Sequence, residues 1–207
     1  MSVLHLLSSA SGKKDNEANI SLAKEIASSK NKDAVKELIS NLNNKDSKIQ
    51  SDCIKVLYET GYIRPELIAP FYKEFMEMLV NKNNRMVWGA MIALSTIVNL
   101  KHKEVFNALD LIMQTVDKGS VITIDCGVMI LAELNKFEDY YNSTNPLLLE
   151  QLKKCPVKQL PMYAEKSLVS ISEKNKTEFT GIIEKRLTEC DKDSQKKRLL
   201  KILEKLS

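Results

Sequence analysis

Glycine and proline are scarce in this 207-residue chain, at six and five, and tryptophan occurs once. A chain with so few residues that turn sharply, 43% hydrophobic and 28% charged, reads as a mostly helical protein with apolar matter to bury. Histidine occurs only as His5 and His102, which leaves no set of paired His and Glu residues for a di-iron centre. The four cysteines, Cys53, Cys126, Cys155 and Cys190, are spaced by 73, 29 and 35 positions, with no C-x-x-C pair and no histidine nearby. Reduced thiols are expected rather than disulfides or a zinc site. There is no Gly-rich phosphate loop and no catalytic motif, so the chain is read as a non-enzyme needing no metal and no organic cofactor.

Long apolar runs are missing as well. Ile122 to Leu134 is interrupted by Asp125 and Glu133, short of the ~18–20 apolar residues that cross a bilayer. Val3 to Leu7 is too short for the apolar region of a secretory signal and has no basic leader, so a cytoplasmic location without membrane contact is expected. Charge of one sign is absent from most of the chain: residues 1–173 carry 21 basic and 21 acidic side chains, whereas residues 174–207 carry 10 and 6. The formal net charge of +4 therefore belongs to the last segment.

What is present is a repeat. Leu57, Leu94, Leu131 and Leu168 recur every 37 residues, and Cys53, Ala90, Gly127 and Ala164 keep the same interval four positions earlier. A third column, Leu38, Phe75, Ile112 and Leu149, precedes the leucines by 19 residues and so falls on a different helix. Apolar spacing agrees, with first-helix stripes such as Phe71, Tyr72, Phe75, Met76 and Leu79, and second-helix stripes such as Met86, Ala90, Ala93, Leu94 and Ile97. Asn43 to Ser47, Asn81 to Asn84 and Asp117 to Ser120 supply helix-capping residues between paired helices. Gly61 with Pro65 and Pro70, and Asn145 with Pro146, are expected to separate successive units.

The predicted fold is an all-α, right-handed α-solenoid of about five helix-turn-helix repeats in one domain spanning 1–207. Residues 1–30 form a degenerate N-terminal cap, with helices at Val3 to Leu7 and about Glu17 to Ala27. Residues 31–173 are the regular repeats, and 174–207 a basic capping repeat carrying Phe179, Ile182, Ile183 and Leu187, then Leu199, Ile202, Leu203 and Leu206.

Paired helices of this length, with a small residue and a leucine on the second, resemble HEAT or armadillo-type repeats over about residues 30–207. The Asp and Arg ladder common in HEAT repeats is missing: Asn44, Asn81, Lys118 and Cys155 stand at one position, and Gln50, Val87, Ile124 and Pro161 at the other. The resemblance implies that second helices line a concave side that binds proteins or extended peptides. Relatives of similar architecture include DNA alkylation-repair glycosylases and bilin-attaching proteins, but the fold alone licenses no activity.

If the column of Cys53 faces the core, residues two before, one before and two after it face outward. Those positions hold Ser51, Asp52 and Lys55, an expected solvated face, then Trp88, Gly89 and Ile92, then Asp125, Cys126 and Met129, then Met162, Tyr163 and Lys166. The expected binding surface is Trp88, Ile92, Met129, Met162 and Tyr163, with Arg85, Asp125 and Lys166 orienting a partner from the rim. A different helix rotation would pack Trp88 into the core between repeats instead. Asp125 is also explained as a helix-start residue, and Cys126 as a small helix residue without a base to activate it. The expected partner is a protein, a peptide or a second copy of the chain. The alternative is a nucleic acid held by Lys197, Arg198 and Lys201, although a phosphate-tracking path needs more basic residues than the second helices supply.

Overall fold

A computed structural model describes residues 2–10 and 16–206. Residues 11–15 of the expected N-terminal cap lie outside the described residues. All regular structure among the described residues is helical: α1 (Glu17–Ser29), α2 (Lys32–Ser40), α3 (Ser47–Ile63), α4 (Pro65–Ile68), α5 (Tyr72–Met78), α6 (Asn84–Ile97), α7 (His102–Asn107), α8 (Leu109–Lys118), α9 (Val121–Leu134), α10 (Glu138–Lys154), α11 (Leu160–Ser167), α12 (Lys176–Leu187) and α13 (Asp193–Leu206). None is long and apolar enough to cross a membrane. The chain divides into two compact units, Met1–Cys126 and Gly127–Ser207.

In the first unit α3 is central, packed by α1 on one side and α6 on the other. The repeat columns explain why: Cys53, Val56, Leu57, Ala90, Leu94, Leu38 and Phe75 are all fully buried. Helix starts are fixed by the polar residues between helices. Asn31 Oδ1 accepts from the Ala34 N–H at 3.0 Å, Asp46 Oδ1 from the Lys48 N–H at 2.8 Å, and Asn83 Oδ1 from the Arg85 N–H at 3.0 Å. Lys30, with φ 53°, takes the left-handed conformation that ends α1.

The two-helix unit expected from the sequence is a three-helix unit at two places. The first helix breaks into α4 and α5 across a 3-10 turn at Ala69–Phe71, because Pro70 has no N–H to donate and disfavours helix in the residue before it. It breaks again into α7 and α8 at Ala108, where neither glycine nor proline marks the sequence. Gly61, expected to separate units, instead lies inside α3, where a Cβ would come within 2.4 Å of Thr96 Oγ1 on α6. The absence of a side chain lets α3 pass that helix.

The N-terminal cap is held by two carboxylates. Glu37 accepts from Ser2 Oγ at 2.5 Å and from the Val3 N–H at 2.8 Å, and Asp52 accepts from the Ser9 N–H and from Asn19 Nδ2, both at 2.7 Å. Leu7 is fully buried beneath this short segment.

In the second unit α10 packs on α11 and α12, and α13 on α11 and α12. Leu149, Leu152, Ala164, Phe179, Ile183 and Leu199 form its core. Asn145 and Pro146, expected to end a helix, lie inside α10. A buried polar cluster holds the chain there: Asn145 Oδ1 accepts from Asn175 Nδ2 at 2.8 Å and Asn135 Nδ2 at 3.3 Å, and Thr144 Oγ1 lies 3.0 Å from Asn135 Oδ1. These bonds fix the turn in which Pro146 removes one helical donor. Leu168, in the leucine column, is half-buried because the chain leaves α11 through a 3-10 turn at Leu168–Ser170.

Candidate functional site

Arg85, Trp88, Gly89 and Ile92 fall on one face of α6 at helical spacing. Asn81 Oδ1 accepts from the Asn83 N–H at 2.8 Å and Asn83 caps α6, so the start of this helix, and with it the phase of Trp88, is fixed. Trp88 is half-buried and forms a wall of two neighbouring cavities in the first unit.

The smaller, about 190 Å³, lies between α3 and α6 and is lined by Asp52, Lys55, Tyr58, Arg85, Trp88 and Ile92, with Ile122 from α9. The larger, about 340 Å³, has an apolar wall of Leu79, Val80, Val87, Trp88 and Leu111 and a polar end at Lys118, Ser120 and Thr123. Three large aliphatic side chains stand out at or beside these cavities: Val80 is 73% exposed, Val121 45% and Ile122 40%.

The Ser51, Asp52 and Lys55 positions are not the plain solvated face expected of them. All three are half-buried. Asp52 clamps the N-terminal segment, and Lys55 Nζ pairs with Glu59 at 2.5 Å while lying 4.8 Å from the centre of the Tyr58 ring. Burial opposes the Lys55 charge, but the bonds to Glu59 and Tyr58 outweigh it and raise its pKa above the ordinary lysine value. Tyr58 in turn meets Tyr62 edge to face, with ring centres 6.3 Å apart. This aromatic and cationic wall was missed because Tyr58 lies one helical turn beyond the column used to read the face.

Arg85, Trp88 and Ile92 line one cavity, with Trp88 half-buried rather than wholly in the core. Gly89, expected outward, is buried. Asp125 is half-buried on α9. In the second unit Met129, Met162 and Lys166 are half-buried, but Tyr163 is only 1% exposed. Its ring belongs to the core and not to the outward face expected of it. Two cavities of that unit are lined by other residues, one of about 490 Å³ by Lys153, Ile182, Lys185 and Arg186, and one of about 430 Å³ by Asn135, Tyr141, Ser170 and Lys174.

The basic end is partly committed to structure. Arg198 holds Glu165 of α11 through two hydrogen bonds, at 2.8 and 2.6 Å, which lower the Glu165 pKa. Among the described residues no three His, Cys, Asp or Glu side chains gather as a metal ion would require.

Solved structures of like fold decide the architecture. A designed armadillo repeat protein in complex with peptide (KR)4 matches over 94% of this chain and 87% of its own, with a TM-score of 0.66 and 14% identity. The fold is an armadillo-type helical repeat. An engineered protein matches 99% of this chain and 94% of its own with a TM-score of 0.66 and 19% identity, and computationally designed armadillo repeat proteins for modular peptide recognition match 91% of each with a TM-score of 0.65 and 14% identity. No protein-family model and no curated protein matches the sequence. The chain is an all-α solenoid of this class.

Proposed function

We propose that this protein is a non-enzymatic peptide-binding scaffold whose docking site in the first unit is centred on Trp88. The observation that carries the reading is a lone tryptophan, half-buried, shared as a wall by two cavities and accompanied by exposed Val80, Val121 and Ile122. Large aromatic side chains with apolar neighbours and a charged rim are the usual anchors of peptide recognition. Arg85 and the Lys55–Glu59 pair supply that rim. The peptide recognition for which designed proteins of this fold were made supports the same reading. Met129, Met162 and Lys166 are separate half-buried positions of the second unit and are not needed for it.

The test is retention of a randomised heptapeptide pool on the immobilised protein. Trp88→Ala with Ile92→Ala is expected to abolish retention while leaving the melting temperature close to that of the parent. Lys197→Glu with Arg198→Glu is expected to leave retention intact, and moderate salt to weaken it little, because apolar docking is not driven by counterion release. Concentration-dependent dimerisation lost in Trp88→Ala would replace the peptide by a second copy of the chain. Nucleic acid retained at low salt, stripped at high salt and indifferent to Trp88→Ala would overturn the reading.

We also propose that residues 1–207 work as one repeat domain, since the boundary between the two units falls inside α9 rather than in a linker. Limited proteolysis yielding a stable fragment that ends near residue 126 would contradict it.

A further inference from the structure

Lys48 is the second residue of α3 and Arg85 the second of α6, so the 37-residue period sets them in the same register. Their caps match as well: Asp46 (φ −86°, ψ 113°) accepts from the Lys48 N–H and Asn83 (φ −87°, ψ 110°) from the Arg85 N–H. Lys45 and Lys82, each one residue before its cap, keep the same step. Because α3 packs on α6, and packed helices lie with axes ~8–10 Å apart, the two basic pairs stand side by side at one end of these helices.

All four positions are exposed, and among the described residues no ion pair or side-chain hydrogen bond engages any of these four side chains. The acids of α3 are already engaged. Asp46 caps the helix, Asp52 accepts from the Ser9 N–H and from Asn19 Nδ2, and Glu59 holds Lys55, while α6 carries no acid at all. A helix N-terminus has partial positive charge, so a first turn is the place where a cation is disfavoured. Lys48 and Arg85 occupy it twice, in register, without an anion. The next position of the column is Ile122 in the first turn of α9, 40% exposed, where the basic edge gives way to apolar surface. Arg85 and Ile122 line the smaller cavity together with Trp88.

We propose that the peptide docking at Trp88 is acidic: an apolar residue seats against Trp88 and Ile92, and Asp or Glu residues next to it meet Arg85, Lys48 and Lys82. This names the class of partner for the peptide-binding reading and rests on it. The sign is opposite to that of the (KR)4 peptide in complex with the designed armadillo repeat protein. Charge complementarity sets the choice, since the cations of this edge are the groups left without a counter-charge. Arg85, at the cavity itself, offers the planar fork that suits a carboxylate. A nucleic acid fits less well, because successive phosphates call for cations along a path, whereas here the cations stop at Ile122 and Asp52 and Glu59 share the helix beyond Lys48.

The experiment compares three heptapeptide pools with a central Leu or Phe on the immobilised protein at low salt. Their flanks are Asp and Glu, Asn and Gln, or Lys and Arg, and a single-stranded oligonucleotide pool is run beside them. The acidic pool is expected to be retained about tenfold or more over the basic one, with the neutral pool between, and the gap to narrow as salt screens exposed charges. Lys48→Glu with Arg85→Glu should invert the order of the acidic and basic pools and melt no lower than the parent, since first-turn acids suit the helix dipole. Lys192→Glu with Lys197→Glu, the same change of net charge at exposed positions of the second unit, should leave the order as it was. Equal retention of the three peptide pools, or preference for the basic one, lost in either case in Trp88→Ala, would overturn the acidic preference and leave peptide binding in place. Inversion by the Lys192 and Lys197 variant would also overturn it, by assigning selection to net charge. Retention of the oligonucleotides without any peptide pool, or of nothing, would overturn both this proposal and the peptide-binding reading.

Discussion

Gly89 of α6 meets Ile54 of α3 so closely that a Cβ at position 89 would lie 2.3 Å from Ile54 Cγ1 and 3.0 Å from Cγ2. The contact is to the branch of the isoleucine and not to a flexible end, so the helices must separate if the site is filled. Gly89→Ala is expected to destabilise the protein by ~1–3 kcal/mol despite the better helix propensity of alanine. Ile54→Ala is destabilising alone, but the double variant should lose less than the sum of the two. Chemical denaturation of the four proteins checks this, and additive losses would place the closest helix contact elsewhere.

The buried amides of the second unit allow a sharper comparison. Asn145 Oδ1 accepts from both Asn135 and Asn175, so Asn145→Ala leaves two buried donors short of an acceptor. A loss of roughly 1–3 kcal/mol is expected, at the upper end if both amides stay dry. Pro146→Ala, one residue on, should be neutral or stabilising, because it restores an interior helix donor where α10 is already continuous. A strongly destabilising Pro146→Ala would mean that α10 is not one helix.

The leucine, small-residue and apolar columns were legible because 37-residue spacing repeats them in fixed phase, and all but Leu168 are buried. The outward face was misread by one position in three of the four units, Asp52 of the first being half-buried. Gly89, Cys126 and Tyr163 each precede the small column by one residue, each was expected outward, and each is buried. A helix packed on neighbours from two sides buries an arc wider than the single ~100° stripe of a surface helix, and one column of small residues marks only its middle. The break at Ala108 was illegible for a different reason, since no proline or glycine marks it and tertiary packing decides it. The polar end of the Trp88 cavity was visible only as a capping pattern, Ser120 before α9. Sequence does not reveal that this hydroxyl does not cap.

All four cysteines are buried, Cys53 completely. Burial, with the charges of Asp52 and Glu37, pushes the Cys53 thiol up to about 12, and burial likewise raises Cys155 and Cys190, partly opposed at Cys155 by Arg186 3.4 Å away. Because the thiolate is the reactive form, the native protein should react slowly with a disulfide reagent near pH 8 and release four equivalents only after unfolding. Rapid reaction of Cys53 in the native state would show that α3 opens locally.

Acid should release the N-terminal segment before it unfolds the rest. The hydrogen bond from Ser2 holds the Glu37 carboxyl below its ordinary value, against a smaller opposing effect of burial and with help from the Val3 N–H. A depressed folded pKa means that the unfolded or undocked segment binds a proton more readily than the docked one. The stabilisation by Glu37 is therefore complete above the undocked carboxyl value of about 4.3 and disappears as pH falls through the lower docked value. Hydrogen exchange of residues 2–10 should show protection that is flat above the undocked carboxyl value and falls as pH drops below it. Glu37→Gln should lower that protection at neutral pH and flatten its acid dependence, since the amide can still accept one bond but carries no charge. If the variant keeps the parent's full acid dependence, the Glu37 carboxylate is not what controls docking.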